Sequence, residues 1–279
     1  MRIAVTGADG FTGRHFLEAA RRAGHEVVAI RSNLTDGVAV AAEAQGIEAD
    51  ALVHLAAISF VGHQNDRAFY DVNLFGTLNL LDAIAKSARP WRSVLVASSA
   101  NVYGNAPESP IPETQPPAPV NHYAMSKLAM ELMARARYSH LPLVITRPFN
   151  YTGPGQASDF VIPKLVDHFR RRAPRVTLGN LHVQREYNDV RFVCDAYLRL
   201  LESAQPGTYN VCTGVTYDFN AVIAMLQEIT GHRIEVEVDP ALVRANEVHR
   251  LCGDPARLDA AVGPLRAWRL QETLAWMLE

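Results

Sequence analysis

Short apolar segments alternate with longer amphipathic segments through the first half of the chain. The pattern predicts strands at residues 2–6, 26–30, 51–55, 93–97 and 142–147. Apolar positions repeating every 3.6 residues predict helices at residues 12–23, 66–88 and 122–139. Because strands that alternate with helices form repeated β-α units, we expect a doubly wound parallel sheet covered by helices on both faces.

The rhythm of the pattern changes after residue 148. Helices are predicted near residues 159–172 and 192–203, with a strand at 208–212. We expect a first domain of residues 1–150 plus about 183–213, and a smaller C-terminal α/β lobe of residues 151–182 and 214–279. The lobe should lie over the carboxyl ends of the strands, where open α/β sheets bind ligands.

Composition excludes several classes of protein. The 279 residues are 48% hydrophobic and 20% charged, and the net charge of −2 provides no basic field for nucleic acid. The N-terminus enters a short strand directly, and no apolar run has the length of a membrane span, so we expect a cytoplasmic protein without membrane contact. Cys194, Cys212 and Cys252 are widely spaced and indicate reduced thiols without a bound metal.

Tyr123 and Lys127 lie four positions apart in a predicted helix. Side chains at this spacing share one helix face, with Cβ atoms about 5–6 Å apart. A cation beside a phenol favours the phenolate, so this phenol could exchange a proton with a carbonyl or alcohol oxygen. An exposed tyrosine with an unrelated lysine has the same spacing, but lysine is rare among the 27 cationic residues, which favours the acid/base interpretation.

A glycine-rich turn follows the first predicted strand and precedes the first helix. Its sequence is Gly7-Ala8-Asp9-Gly10-Phe11-Thr12-Gly13. Glycines at such a turn let the backbone approach a pyrophosphate, which the positive end of the helix dipole then stabilises. A turn without a ligand is the alternative, but the position between strand and helix favours dinucleotide binding.

These motifs together resemble the extended short-chain dehydrogenase/reductase family, in the branch that acts on nucleotide sugars. The resemblance extends over the whole chain and rests on the glycine turn, His54-Leu55-Ala56-Ala57, Asn73 ahead of Gly76-Thr77, Ser98-Ser99-Ala100-Asn101-Val102-Tyr103-Gly104, Tyr123-Ala124-Met125-Ser126-Lys127 and Arg147-Pro148-Phe149-Asn150. It implies a Rossmann-type fold, with the dinucleotide on the first domain and a nucleotide sugar on the lobe.

The resemblance also implies roles for individual residues. Tyr123 would exchange the proton, Lys127 would hold the nicotinamide ribose, and Ser99 would bind the reacting oxygen. Ser98 is the alternative hydroxyl, although strand alternation should point the two serines in opposite directions. The residues implied for the cofactor are Gly7, Asp9, Gly10, Phe11, Thr12, Gly13, Arg31, Leu34, Leu55, Ala56, Ala57, Asn73, Tyr123, Lys127 and Pro148. Those implied for the substrate are Ser59, Ser99, Asn150, Gly179, Asn180, Arg185, Arg244 and Glu247.

The residue after the second strand bears on the choice of cofactor. An enzyme that uses NAD typically has an acid there for the adenine ribose, whereas this chain has Arg31. Because a guanidinium can pair with a 2′-phosphate, NADP(H) is the favoured cofactor and NAD(H) is possible. Residues 33–50 are too few for the strand that the family has next.

The residues after Ser99 limit the number of reactions that the protein could catalyse. Sugar 4,6-dehydratases of the family have an Asp-Glu pair there, whereas this chain has Ala100-Asn101, which leaves ketone reduction or alcohol epimerisation. The second half resembles the GDP-4-keto-6-deoxy-D-mannose reductases, with Glu186 in place of an expected aspartate. We therefore favour reduction of a 4-keto-6-deoxy nucleotide sugar, GDP-linked before other bases. An NAD-dependent 4-epimerase is the alternative, followed by a non-enzymatic NADP-binding regulator. Deoxymannose, deoxytalose and deoxyheptose precursors remain open.

The predicted helices at 66–88 and 122–139 have wide apolar faces. Such faces, together with the family resemblance, predict a homodimer through these helices.

Overall fold

The computed structural model describes residues 1–87, 90–242 and 248–279. Its strands are β1 (Arg2–Thr6), β2 (Glu26–Ile30), β3 (Ala51–His54), β4 (Ser93–Ala97), β5 (Leu143–Pro148), β6 (Tyr151–Thr152), β7 (Arg175–Leu178), β8 (Gln184–Glu186), β9 (Asn188–Asp189), β10 (Gly207–Val211), β11 (Thr216–Tyr217), β12 (Glu235–Val238) and β13 (Arg250–Leu251). Its α-helices are α1 (Phe11–Arg22), α2 (Gly37–Gln45), α3 (Asp66–Phe69), α4 (Thr77–Ile84), α5 (His122–Arg137), α6 (Val161–Arg170), α7 (Val190–Ser203), α8 (Phe219–Thr230), α9 (Ala256–Val262) and α10 (Leu270–Leu278).

A six-stranded parallel sheet forms the centre of the molecule. Its strand order is β10-β5-β4-β3-β1-β2, so the chain order reverses between β1 and β3. The predicted strands and the doubly wound Rossmann-type fold are confirmed. The strands are largely apolar because helices cover both faces: α1 and α7 pack on one, and α2, α4 and α5 on the other.

The short connection between β2 and β3 contains a helix that the sequence analysis did not predict. The segment 37–45 forms α2, whose first turn is capped by the Asp36 carboxylate accepting from the Val38 and Ala39 amides. Its alanine-rich sequence has little contrast between apolar and polar faces, so the 3.6-residue period is weak. No strand lies between β2 and β3, which leaves β2 at the edge of the sheet as the short segment predicted.

The helix predicted over residues 66–88 forms from Asp66 to Ile84, but it is not α-helical throughout. The structure has α3, then a π-helical segment at Tyr70–Gly76, then α4, and residue 88 lies outside the described residues. The π segment carries the buried side chain of Asn73 and ends at Gly76. A Cβ atom on Gly76 would lie 2.9 Å from Leu34 Cβ, so glycine is required for this close packing.

The later segments form a second apolar core beside the sheet. It contains side chains from α6, α8 and α10, and from β7, which pairs with β12. A small sheet of order β11-β8-β13 lies next to it. The division of the chain into 1–150 plus 183–213 and 151–182 plus 214–279 remains a prediction. Over the described residues, each helix is too short or too polar to serve as a membrane span.

Candidate functional site

A cavity of about 610 Å³ opens where the carboxyl ends of the central strands meet the C-terminal segments. Its volume lies within the range of small-molecule sites, about 300–1,000 Å³. The predicted site residues that line it are Gly7, Phe11, Thr12, Gly13, Leu55, Ala57, Ser59, Ser99, Tyr123, Lys127, Pro148, Asn150, Gly179, Asn180 and Arg185. The structure therefore brings most of the residues named from the sequence to one place.

The remaining predicted residues lie elsewhere. Those outside the cavity lining are Asp9, Gly10, Arg31, Leu34, Ala56 and Asn73. Leu34 is buried in the core under α4, and Asn73 is fully buried. Arg244 and Glu247, both predicted to bind substrate, fall outside the described residues.

The glycines of the turn allow backbone packing that a side chain would prevent. Gly7 has a φ of +70°, and a Cβ atom on it would lie 2.7 Å from the Ala56 nitrogen. A Cβ on Gly13 would overlap the Gly7 and Ala8 carbonyl oxygens. Helix α1 begins at Phe11 directly after the turn, and its first residues line the cavity, so its N-terminal N–H groups and positive dipole end lie at the cavity wall. These residues fit the pyrophosphate of a dinucleotide.

Ser99, Tyr123 and Lys127 meet at the cavity wall. Tyr123 and Lys127 lie in the first turns of α5, whose start is capped by Asn121 through a 2.9 Å bond from the Ala124 amide. The Ser99 hydroxyl hydrogen-bonds the Tyr123 phenol. Lys127 Nζ donates to the Ala97 carbonyl oxygen at 2.8 Å, which ties α5 to the end of β4.

Ser98 is directed away from this group. Its hydroxyl donates to the Glu131 carboxylate at 2.5 Å, while Ser99 Oγ accepts from Asn101 Nδ2 at 3.1 Å on the side of Tyr123. Adjacent residues of a strand point to opposite faces, which explains the separation. Of the two serines, only Ser99 has its hydroxyl at the phenol.

Burial has the largest effect on the pKa values of Tyr123 and Lys127. Burial raises the pKa of Tyr123, and the Ser99 hydrogen bond lowers it only in part. Burial lowers the pKa of Lys127 to about 8, against the opposing effect of the Glu131 carboxylate. The net lowering of the Tyr123 pKa that the sequence led us to expect does not occur, because burial outweighs it, and the phenol is neutral at physiological pH.

A buried ion pair, which the sequence analysis missed, connects α5 to β5. Glu131 lies one turn after Lys127 and accepts from Arg147 Nη2 at 2.6 Å and from Arg147 Nε at 3.0 Å. Arg147 Nη1 also donates to the Tyr103 hydroxyl at 2.9 Å. Spacing four residues beyond Lys127 was the available signal for Glu131, since it places both side chains on one face.

A hydrogen-bonded series, also missed, connects β1 to α5. We call Thr6, His54, Thr77, Asn73 and Ser126 the brace. Thr6 Oγ1 and Thr77 Oγ1 lie 2.6 Å and 2.8 Å from the two ring nitrogens of His54. Thr77 Oγ1 donates to the Asn73 carbonyl oxygen, Asn73 Nδ2 donates to Ser126 Oγ at 3.1 Å, and Ser126 Oγ donates to the Tyr123 carbonyl oxygen. Asn73 thus positions the Tyr123 helix from within the protein.

Aromatic side chains form two further parts of the cavity wall. Phe11 stacks on Tyr151 with ring centroids 6.0 Å apart, and the Tyr151 hydroxyl lies 2.7 Å from Thr12 Oγ1. Phe60 and Phe160 meet edge to face at 5.7 Å, across the opening between the loop after β3 and the start of α6. No motif in the sequence indicated these contacts, because they join distant segments.

Two cations are among the described residues of the second half of the chain that line the cavity, Arg185 and Lys164. Lys164 Nζ donates to the Thr177 carbonyl oxygen at 2.7 Å. Glu186, which follows Arg185 in β8, is fully buried and accepts from the Thr213 and Gly253 amides at 2.8 and 2.7 Å. These bonds fix the strand that presents Arg185 to the cavity.

No cysteine is among the described residues that line the cavity. Burial raises the pKa of each of the three cysteine thiols. In the described ranges, no cluster of three or more His, Cys, Asp or Glu residues is placed to hold a metal ion.

Comparison with known proteins places these features in a family. The NAD dependent epimerase/dehydratase family matches residues 3–212. The chain is 34% identical over 269 residues to the GDP-6-deoxy-D-talose 4-dehydrogenase of Aggregatibacter actinomycetemcomitans, covering 94% of this chain and 92% of the relative. It is 35% identical over 291 residues to the GDP-6-deoxy-D-mannose reductase of Pseudomonas aeruginosa, covering 98% and 93%.

A solved structure agrees over the whole fold. RMD from Pseudomonas aeruginosa in complex with NADPH superposes with a TM-score of 0.90 at 32% identity, covering 99% of this chain and 96% of the other. The agreement includes the central parallel sheet and the helices on both of its faces. The chain therefore belongs to the NAD dependent epimerase/dehydratase family, the extended branch of the short-chain dehydrogenases/reductases.

Proposed function

We propose that this protein reduces the 4-keto group of a 4-keto-6-deoxy nucleotide sugar, GDP-linked, with NADPH favoured over NADH as the reductant. The observation that carries the proposal is the contact of Ser99 with Tyr123 beside Lys127, in a cavity that extends from the glycine turn to the lobe. Two relatives named for GDP-6-deoxy sugars support the substrate class. Arg31 supports NADP(H) as the cofactor.

The chain's own residues supply the proton in this proposal. A bound reduced nicotinamide supplies the hydride. Tyr123, neutral because of its burial, donates its proton to the oxygen of the sugar ketone as that oxygen gains charge. Ser99 donates a hydrogen bond to the same oxygen and holds it next to the phenol. Lys127 binds the nicotinamide ribose and stabilises the phenolate that remains.

In this proposal the substrate is bound by β8, by the segments after β5 and β7 and by the loop after β3. Arg185 would pair with the diphosphate, because a guanidinium matches phosphate oxygens in a bidentate manner. Gly179 and Asn180 would meet the base, and Ser59 and Asn150 would contact the sugar. Arg244 and Glu247 are retained as predicted contacts on the strength of the sequence alone.

The reaction can be tested directly by mixing the protein with NADPH, then NADH, and a panel of 4-keto-6-deoxy nucleotide sugars. Loss of the reduced nicotinamide absorbance with a GDP-linked ketone supports the proposal. Conversion of a nucleotide hexose to its 4-epimer under added NAD, without net cofactor consumption, would instead establish the epimerase. If neither occurs while NADPH binds, the protein is a dinucleotide-binding regulator.

The proposed acid can be tested with Tyr123→Phe. We expect kcat to fall by at least about 100-fold, because a positioned proton donor contributes about 10² to 10⁴ in rate. Binding of NADPH, followed by fluorescence titration, should change little. Tyr70→Phe is the matched control, since Tyr70 bonds His122 near the same helix at 3.0 Å but does not line the cavity. Full activity in Tyr123→Phe would refute the acid.

A further inference from the structure

The carboxyl end of β2 lies beside the glycine turn and is where a dinucleotide places its adenine ribose. Ile30, the last residue of β2, pairs in register with Thr6, so Arg31 and Gly7 leave neighbouring strand ends together. In folds of this kind, the group at this place meets either a free 2′-hydroxyl or a 2′-phosphate. The charges around Arg31 therefore decide between NAD and NADP.

A carboxylate from the next helix already occupies the backbone donors at this end. Glu43, in the last turn of α2, accepts from the Arg31 amide at 3.0 and 3.1 Å and from the Ser32 amide at 2.8 Å. Although burial raises the pKa of Glu43, hydrogen bonds from Ser32 and Arg31 outweigh that effect and lower it. Glu43 is therefore ionised and held in place at neutral pH.

The Arg31 side chain meets a second carboxylate. Its Nη1 lies 2.6 Å from Asp9 Oδ2, in the glycine turn. Both side chains are mostly exposed, at 66% and 78%, so the ion pair contributes little and a bound phosphate can displace Asp9. Glu43 differs because its three backbone bonds fix it beside Arg31.

We infer that Glu43 is a specificity-determining residue that opposes a 2′-phosphate and so limits the preference for NADPH that Arg31 provides. The Glu43 carboxylate accepts from the Arg31 and Ser32 amides, which a phosphate at this strand end would otherwise use. Its negative charge also repels a dianion. A 2′-hydroxyl carries no charge and meets no such repulsion. The inference rests on the proposed use of NAD(P)H but concerns cofactor binding alone.

The test is a comparison of dissociation constants for NADPH and NADH without any sugar, measured by quenching of protein fluorescence. In Glu43→Gln, we expect the ratio Kd(NADH)/Kd(NADPH) to rise about tenfold, because one negative charge beside the phosphate is removed. The rise should shrink with added salt. Glu43→Ala, on an alanine-rich surface helix, is the second variant and should give the same direction of change.

The matched control is Glu26→Gln. Glu26 begins the same strand, about 16 Å from Arg31 by strand geometry, and pairs with Arg2 at 3.1 Å. This variant removes one carboxylate without touching the adenine end, so its ratio should equal that of the unmodified protein. A ratio unchanged within twofold in both folded Glu43 variants would overturn the inference. Absence of binding by either dinucleotide would instead count against the proposed function.

Discussion

At the scale of single residues, burial makes Tyr123 a proton donor. A phenol with a raised pKa stays protonated at neutral pH, which is the state that ketone reduction requires. Oxidation of an alcohol needs the phenolate, and the pKa of the phenol opposes it. The protonation state of this one residue thus agrees with reduction as the proposed direction.

Lys127 should give the reaction its pH dependence. Burial lowers its pKa to about 8, so the ammonium loses its proton as the pH rises through that value. We expect kcat/KM for reduction to decline above about pH 8, because the charge that stabilises the phenolate is lost. Initial rates between about pH 6 and about pH 10 measure the profile.

Lys127→Arg is the companion variant for this profile. Arginine stays charged through the whole range, so the inflection near pH 8 should disappear, while the changed geometry lowers the rate. An unmodified enzyme whose kcat/KM is flat across this range would contradict the role given to Lys127.

The sequence was sufficient to name Ser99, Tyr123 and Lys127, because each belongs to a short motif. Glu43 could not be named, since its role depends on partners at the end of β2, and the only signal for Glu131 was its spacing from Lys127, because its partner Arg147 lies in β5. The pKa of Tyr123 was also beyond reach. Spacing shows that two side chains share a helix face, but burial determines whether the Tyr123 phenol is protonated.

At the scale of elements, the brace sets one tautomer of His54. Thr77 Oγ1 uses its proton on the Asn73 carbonyl oxygen and so accepts from His54 Nε2, while Thr6 Oγ1 donates to Nδ1. A second ring proton has no acceptor in this arrangement. Burial accordingly lowers the pKa of His54 to about 3, with the Lys127 charge acting in the same direction.

This neutral histidine should couple folding to pH. The unfolded ring titrates near 6.5 and the folded ring near 3, so between these values the unfolded chain binds more protons. Stability contributed by His54 is present above pH 6.5 and is lost as the pH falls, by at most about 1.4 kcal/mol per pH unit. Urea unfolding at about pH 7 and about pH 5 measures the loss.

His54→Gln is the variant that isolates this effect, because an amide does not titrate. The loss of stability between the two pH values should be smaller than in the unmodified protein. His140→Gln is the control, since His140 is exposed in the turn that follows α5. Equal losses in all three proteins would show that His54 does not carry the dependence.

Elements with strong periodicity were predicted well, and α2 and the π segment were not. Helix α2 is short and alanine-rich, so its sequence shows no clear apolar stripe. The π segment keeps the apolar residues of an ordinary helix. Its wider turn is seen only in the structure, where Asn73 is buried and Gly76 packs against Leu34.

At the scale of the whole molecule, the helices expected at a subunit contact do expose apolar side chains. Phe75 lies just before α4, and Met125, Leu132 and Met133 lie on α5. Leu132 and Met125 are seven positions apart and share a face. Exposed apolar residues clustered on adjacent helices are typical of an interface between copies, so the homodimer remains our prediction.

Light scattering at micromolar concentration tests the dimer. We expect the mass of two chains for the unmodified protein and of one chain for Leu132→Glu, because a buried carboxylate at the contact is costly. Val238→Glu is the control, since Val238 is similarly exposed but lies on β12 in the lobe. A single-chain mass for the unmodified protein removes the interface.

The short connection after β2 has a consequence for solubility. Because no strand follows it in the sheet, β2 keeps one row of backbone groups without a strand partner. An exposed edge strand can pair with a strand from another chain and start aggregation. Here β2 is only five residues long, begins with the charged Glu26 and is followed by Arg31, so it is a poor template for edge-to-edge association.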